Sequence, residues 1–127
     1  MRPWPPPTGL PEGTPMRIEQ HKHGAITVLR PRGAVSNEAD AQLLRKEGFE
    51  TLGRTLGRFV MDVSDMPFVD SNGLEALVDL TSELSAGGRS LCLCGIGEAL
   101  REVLSVTETL PMFTLHEDVQ SAVRSFL

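Results

Sequence analysis

The chain holds only two cysteines, no excess of positive charge and no long apolar run, and each shortage removes a class of protein. Cys92 and Cys94 lie two apart in Ser90-Leu91-Cys92-Leu93-Cys94-Gly95, a stretch that reads as a strand. Alternation places both thiols on one face. A zinc or redox motif wants two intervening residues rather than one, so the pair is expected to be reduced core thiols. A chain of 127 residues forms one domain and can bury a core that needs neither metal nor disulfide. The formal net charge of −5 argues against nucleic acid and against an anionic membrane surface, since a phosphate backbone demands a basic face. No apolar stretch approaches the length of a membrane span. The opening Met1-Arg2-Pro3-Trp4-Pro5 carries no apolar core of a secretory signal. Together these point to a cytoplasmic, single-domain protein without cofactor or metal.

What is present divides at residue 16. Prolines at 3, 5, 6, 7, 11 and 15 remove donors and fix φ, so residues 1–15 are expected to form a flexible Pro-rich tail that is dispensable for folding. Trp4 would serve there either as the anchor of a docking peptide or by folding back onto the domain. From Met16 onward strands and helices alternate. Arg17 to His23 reads as a polar edge strand, and Ala25 to Arg30 as a core strand joined to it through Gly24. Gly33 makes a turn. A helix opens with Ser36 or Asn37 as cap, with Ala39, Leu43, Leu44, Leu52 and Leu56 as its stripe, and Gly48, Gly53 and Gly57 weakening its second half. Arg58 to Ser64 is a buried strand. Leu74, Leu77, Val78, Thr81 and Leu84 recur at three and four and form an amphipathic helix that Gly87-Gly88 ends. Leu91 to Cys94 is a strand. A short helix follows with Leu100, Val103 and Leu104. Met112 to Leu115 is a last strand. Asp118 caps a final helix with Val119, Ala122, Val123 and Phe126 inward. The order β-β-α-β-α-β-α-β-α implies parallel pairs behind an opening hairpin, hence a mixed sheet.

The chemistry-bearing segment is Asp62-Val63-Ser64-Asp65-Met66-Pro67-Phe68-Val69-Asp70-Ser71-Asn72-Gly73-Leu74. It runs from the carboxyl end of a central strand to a helix N-terminus, where ligands and partners meet open α/β sheets. Ser71 falls at or beside the N-cap, and read by itself it is only a cap, with Asp70 or Asn72 as the alternative. Enzymatic readings fail one by one. Asp62 as a phosphoryl acceptor would need an acidic pair after the first strand, and that strand ends in His21-Lys22-His23-Gly24. Ser71 as a nucleophile lacks a Gly-x-Ser-x-Gly elbow and a nearby base, and His116 is remote in sequence. No Gly-x-x-x-x-Gly-Lys phosphate loop occurs. His21 and His23 share a strand face but are too few to hold a metal.

These residues carry a resemblance. Gly33, the run Phe59-Val60-Met61-Asp62-Val63-Ser64, Val69-Asp70-Ser71-Asn72-Gly73-Leu74, Gly87-Gly88-Arg89-Ser90-Leu91 and the closing Phe113-Thr114-Leu115 make residues 16–127 similar to the STAS domain, in particular to bacterial anti-sigma factor antagonists. The resemblance implies a mixed central sheet of four to five strands with helices packed mainly on one face. It implies a non-enzymatic transcription regulator. In its family the serine of an Asp-Ser-Ser/Thr-Gly-Leu context is phosphorylated by a kinase that is itself the anti-sigma factor, and Ser71 is that position here. The implied function is a binding switch that sequesters this serine-kinase anti-sigma factor while Ser71 is unphosphorylated. Asp70, Ser71, Asn72, Gly73, Leu74 and Glu75 would form the partner surface, and a serine phosphatase would be the second partner. Gly73 is expected to tolerate no bulk because the kinase backbone must approach it, and the protein is expected to be a monomer. Two departures stand out: Asn72 replaces the usual Ser or Thr, and Gly33-Ala34-Val35-Ser36 replaces the common Gly-x-Leu-Asp. They keep open an alternative role as a STAS-type scaffold or adaptor, on an ABC transporter ATPase or in a stress-signalling assembly, without a phosphoswitch.

Overall fold

The computed structural model describes residues 16–127; the proposed Pro-rich tail lies outside the described residues. Five strands form one sheet in the order β1 (Arg17–His23), β2 (Ile26–Arg32), β3 (Phe59–Asp62), β4 (Leu91–Cys94) and β5 (Phe113–His116). β1 and β2 are an antiparallel hairpin, and every later pairing is parallel. Between them run α1 (Glu38–Thr55), α2 (Ser71–Ser85) and α3 (Glu98–Val106), and α4 (Val119–Arg124) comes after β5. This is the mixed α/β sheet expected from the alternating pattern.

Period-two alternation sends each parallel strand's side chains to two different cores. Leu29, Phe59, Met61, Leu91 and Leu93 face Ala41 and Leu44 of α1, Ala76, Leu77 and Leu80 of α2, and Leu100 and Leu104 of α3. Ile26, Val28, Val60, Cys92 and Cys94 face the other way, onto Ala122 of α4. Three helices thus cover one face and a single short helix part of the other. The two thiols do share a face, both are free, and burial pushes them up to about 11 and about 12. They are inert core groups at neutral pH.

Two details of α1 differ from the periodicity. Ala39 is exposed, and Leu56 is 82% exposed because it is no longer helical: it is the C-cap, in the left-handed region at φ 56°. The buried positions are Ala41, Leu44, Gly48 and Thr51. Gly48 does not weaken the helix so much as permit the α1–α2 contact, since a Cβ there would lie 2.6 Å from Leu80 Cδ1. Strand β2 runs on through Pro31 to Arg32, which is possible because β3 pairs only along Thr27–Leu29 and Pro31 lies past that ladder.

Candidate partner-binding site at the start of helix α2

The segment from β3 to α2 is held down by backbone hydrogen bonds rather than left as a free loop. Val63 N donates to Cys94 O at 2.9 Å, and Met66 N closes a turn on Val63 O at 3.1 Å. Met66 is fully buried and plugs the turn into the main core. A second loop, residues 33–36, zips onto it. Gly33 N donates to Asp65 O (2.9 Å), Val35 N to Phe68 O (3.0 Å), and Asp70 N to Val35 O (2.9 Å). Val35 and Val69 thereby form an isolated parallel bridge, and both are buried. The entry to α2 is a short extra rung of sheet.

Asp70, not Ser71, is the N-cap. Its backbone is extended, its Oδ1 accepts from Gly73 N at 2.9 Å, and its carbonyl accepts from Leu74 N at 2.9 Å. Reading Ser71 as the cap is therefore overturned: an aspartate one residue earlier already satisfies the donors a serine cap would serve. Ser71 is the first helical residue and is exposed. Among the described residues its hydroxyl has no hydrogen-bond partner, and the Ser71 and Asn72 amides have none either. An exposed hydroxyl thus stands over unpaired N–H groups at the positive end of a 15-residue helix, an arrangement that can seat an anion.

Around it the six expected surface residues divide. Ser71, Asn72 and Glu75 are exposed, and Asp70 is half-buried. Leu74 is half-buried and packs on the main core. Gly73 faces inward: a Cβ there would lie 2.8 Å from Val35 Cγ1 and 2.9 Å from Val69 Cβ. The packing of the Val35–Val69 bridge by itself leaves no room for a side chain at Gly73. Glu75 lies 3.9 Å from Arg45 Nη2 of α1, and Arg45 also pairs with Asp79. Two surface features went unread in the sequence. Phe68 is 45% exposed just before the site, and its visible signal was an aromatic in a Pro-bounded loop. Arg45 lay too far along the chain to be associated with Ser71.

The discarded catalytic partners are elsewhere. Asp62 is buried on the α4 side of the sheet, where its Oδ1 accepts from Ser64 N at 3.0 Å and Arg30 Nε lies 3.8 Å away. His116 is on β5, two strands from β3. His21 and His23 lie on β1, and no group of metal-ligating residues occurs among the described residues. No helix among them is long and apolar enough to cross a membrane.

A five-stranded mixed sheet, with three helices on one face and an exposed serine heading the helix after β3, defines a domain class, and the family model for the STAS domain matches residues 17–122. The chain belongs to the STAS domain family. Among solved structures it is similar to a Thermotoga maritima protein described as an anti-sigma factor antagonist, with a TM-score of 0.75, 21% identity, and coverage of 85% of this chain and 92% of that one. An anti-sigma factor antagonist of Mycobacterium paratuberculosis matches with a TM-score of 0.73 and 19% identity over 87% of this chain and 92% of that one. The Bacillus cell fate determinant SpoIIAA in its phosphorylated form matches with a TM-score of 0.64 and 15% identity over 87% of this chain and all of that one. At such identities the likeness is one of fold. No curated protein matches the sequence at a significant level.

Proposed function

We propose that this protein is a cytoplasmic anti-sigma factor antagonist, a non-catalytic binding switch whose setting is the phosphorylation state of Ser71. The observation that carries the reading is the division of labour between Asp70 and Ser71. Asp70 caps α2, so the Ser71 hydroxyl is exposed and has no structural duty. In the unmodified state Ser71, Asn72 and Glu75, with Phe68 beside them, meet a serine-kinase anti-sigma factor and hold it away from its sigma factor. Phosphorylation by that kinase adds about −1.5 to −2 charges. The open amides and the helix dipole tolerate this charge, so the domain stays folded. The complex does not survive, because a buried dianion beside Asp70 and Glu75 lacks compensating partners. A loss of about 3 kcal/mol is already over a hundredfold in affinity. A serine phosphatase resets the switch.

Mass spectrometry of the protein isolated from its native cells tests this, with the phosphoryl group mapped to Ser71 in part of the population. A protein that never carries phosphate at Ser71 under any growth condition would favour the scaffold or adaptor role instead.

A further inference from the structure

The opposite end of the sheet carries a second site. Where Gly57-Arg58 enter β3 and Gly88-Arg89-Ser90 enter β4 lies an open groove of about 570 Å³, bordered on its far side by Thr114 of β5 and by Ser125 and Phe126 beyond α4. That volume is ordinary for a small-molecule pocket, about 300–1,000 Å³. Its lining is unusual for this chain. Acidic residues outnumber basic ones, 17 to 12, yet among the described residues the only charged ones lining the groove are Arg58 and Arg89. Among the described residues neither guanidinium has a carboxylate partner.

Arg58 is held in place as well as exposed, and Arg89 lies close by. Arg58 lies over the Phe126 ring, 5.9 Å from its centroid, and donates to Phe126 O at 3.3 Å. Those contacts use one N–H group and hold the fork. Arg89 Nη1 comes within 3.7 Å of where a Cβ on Gly57 would sit, so it reaches back to the residue beside Arg58. The hydroxyls add a donor. Ser90 Oγ and Thr114 Oγ1 are 2.5 Å apart, and one hydrogen suffices between them, which leaves the other free to point outward. Ser125 Oγ donates to Ala122 O at 2.6 Å and keeps only its lone pairs. Two guanidinium forks plus a free hydroxyl, with no acidic side chain among the described lining residues, match a tetrahedral oxyanion that accepts several charge-assisted bonds.

We propose that this groove, at the pole remote from Ser71, is a binding site for a small phosphate-bearing ligand held by Arg58 and Arg89. The site is independent of the phosphoswitch: it lies at the amino ends of β3 and β4, whereas Ser71 comes after the carboxyl end of β3. An amide-resolved NMR titration of the full chain tests it, with inorganic phosphate and phenyl phosphate as probes and sodium chloride at matched ionic strength as control. The expected result is saturable shifts at Gly57, Arg58, Gly88, Arg89 and Ser90 with phosphate but not with chloride. Tighter binding of inorganic phosphate would identify the free anion as the ligand; tighter binding of phenyl phosphate would identify an ester whose organic body packs on Phe126. The double variant Arg58→Gln/Arg89→Gln should remain folded, with only a small fall in melting temperature from the lost Arg58 contacts with Phe126. It should bind at least roughly tenfold more weakly, as loss of a charge-assisted hydrogen bond implies. Shifts equal to those in chloride, shifts confined to Ser71–Gly73, or undiminished binding by the double variant would overturn the assignment.

Discussion

Helices α2 and α4 start with the same chemistry. Each has an aspartate in extended backbone whose Oδ1 accepts from the amide three residues on, at 2.9 Å for Asp70 and Gly73 and 2.8 Å for Asp118 and Ser121. The residues after the cap differ. In α4 the next residue, Val119, is half-buried against the smaller core, and the helix ends after six residues. In α2 the next two, Ser71 and Asn72, are exposed, and the third, Gly73, is pressed against the Val35–Val69 bridge. An aspartate cap is thus a structural device in both. The distinction of α2 is an exposed hydroxyl placed outside the packing on a helix start that is anchored from below.

The largest effect expected from disturbing this contrast is at Gly73. Any β-carbon there collides with Val35 and Val69 at under 3 Å, and neither can retreat from a fully packed bridge. Gly73→Val should cost about 3 kcal/mol, at the upper end for overpacking, and lower the melting temperature by roughly ten degrees. A variant that melts like the parent but no longer binds its partner would instead return Gly73 to the contact surface. A smaller loss is expected for Asp70→Ala, about 1 kcal/mol, typical of a lost cap. Chemical denaturation should show this as an earlier midpoint with unchanged slope, since the extra rung through Asp70 N and Val35 O remains.

The cap of α4, Asp118, can be read out by its response to acid. The Ser121 amide, foremost, holds its carboxyl below the ordinary aspartate value of 3.8, with smaller help from Arg124 and His116. A carboxyl lowered by folding contributes stability that is complete above that ordinary value. The contribution is lost as pH falls from there through the folded value. Asp118→Ala should therefore melt slightly below the parent at neutral pH, where the contribution is complete, and should converge with it below about pH 4, so that the acid limb of its melting-temperature profile is flatter. A variant with the parent's acid slope would show that the short helix α4 makes no use of its cap.

Much of this architecture was legible in the sequence because local rules and packing agreed. The stripe Leu77, Thr81, Leu84 is buried as a 3.6-residue period requires, and Cys92 and Cys94 share a face as a two-residue period requires. The reading lost its footing where the deciding contact is distant or the local rules tie. Asp, Ser and Asn are near-equal caps, so Asp70-Ser71-Asn72 offered no way to choose. The choice is made by Val35, which fixes Asp70 through its carbonyl from 35 positions along the chain. Leu56 continued an apolar stripe in sequence, yet the helix had already ended beneath it. Gly48 looked like a weak point because its partner Leu80 lies on another helix.

Capture of the proposed kinase partner from native lysate on the parent, and its binding to the parent, to Ser71→Ala and to Ser71→Asp alongside their melting curves, test the central claim most directly. Ser71 is not the cap, so Ser71→Ala should melt within about 0.5 kcal/mol of the parent, as surface substitutions do, and bind constitutively. Ser71→Asp adds one of the phosphate's charges at a position that favours acids. It should stay equally folded while binding at least roughly tenfold more weakly, a difference of about 1.4 kcal/mol. If both variants bind the kinase alike, Ser71 is a bystander at the head of α2 and the protein is not a phosphoswitch.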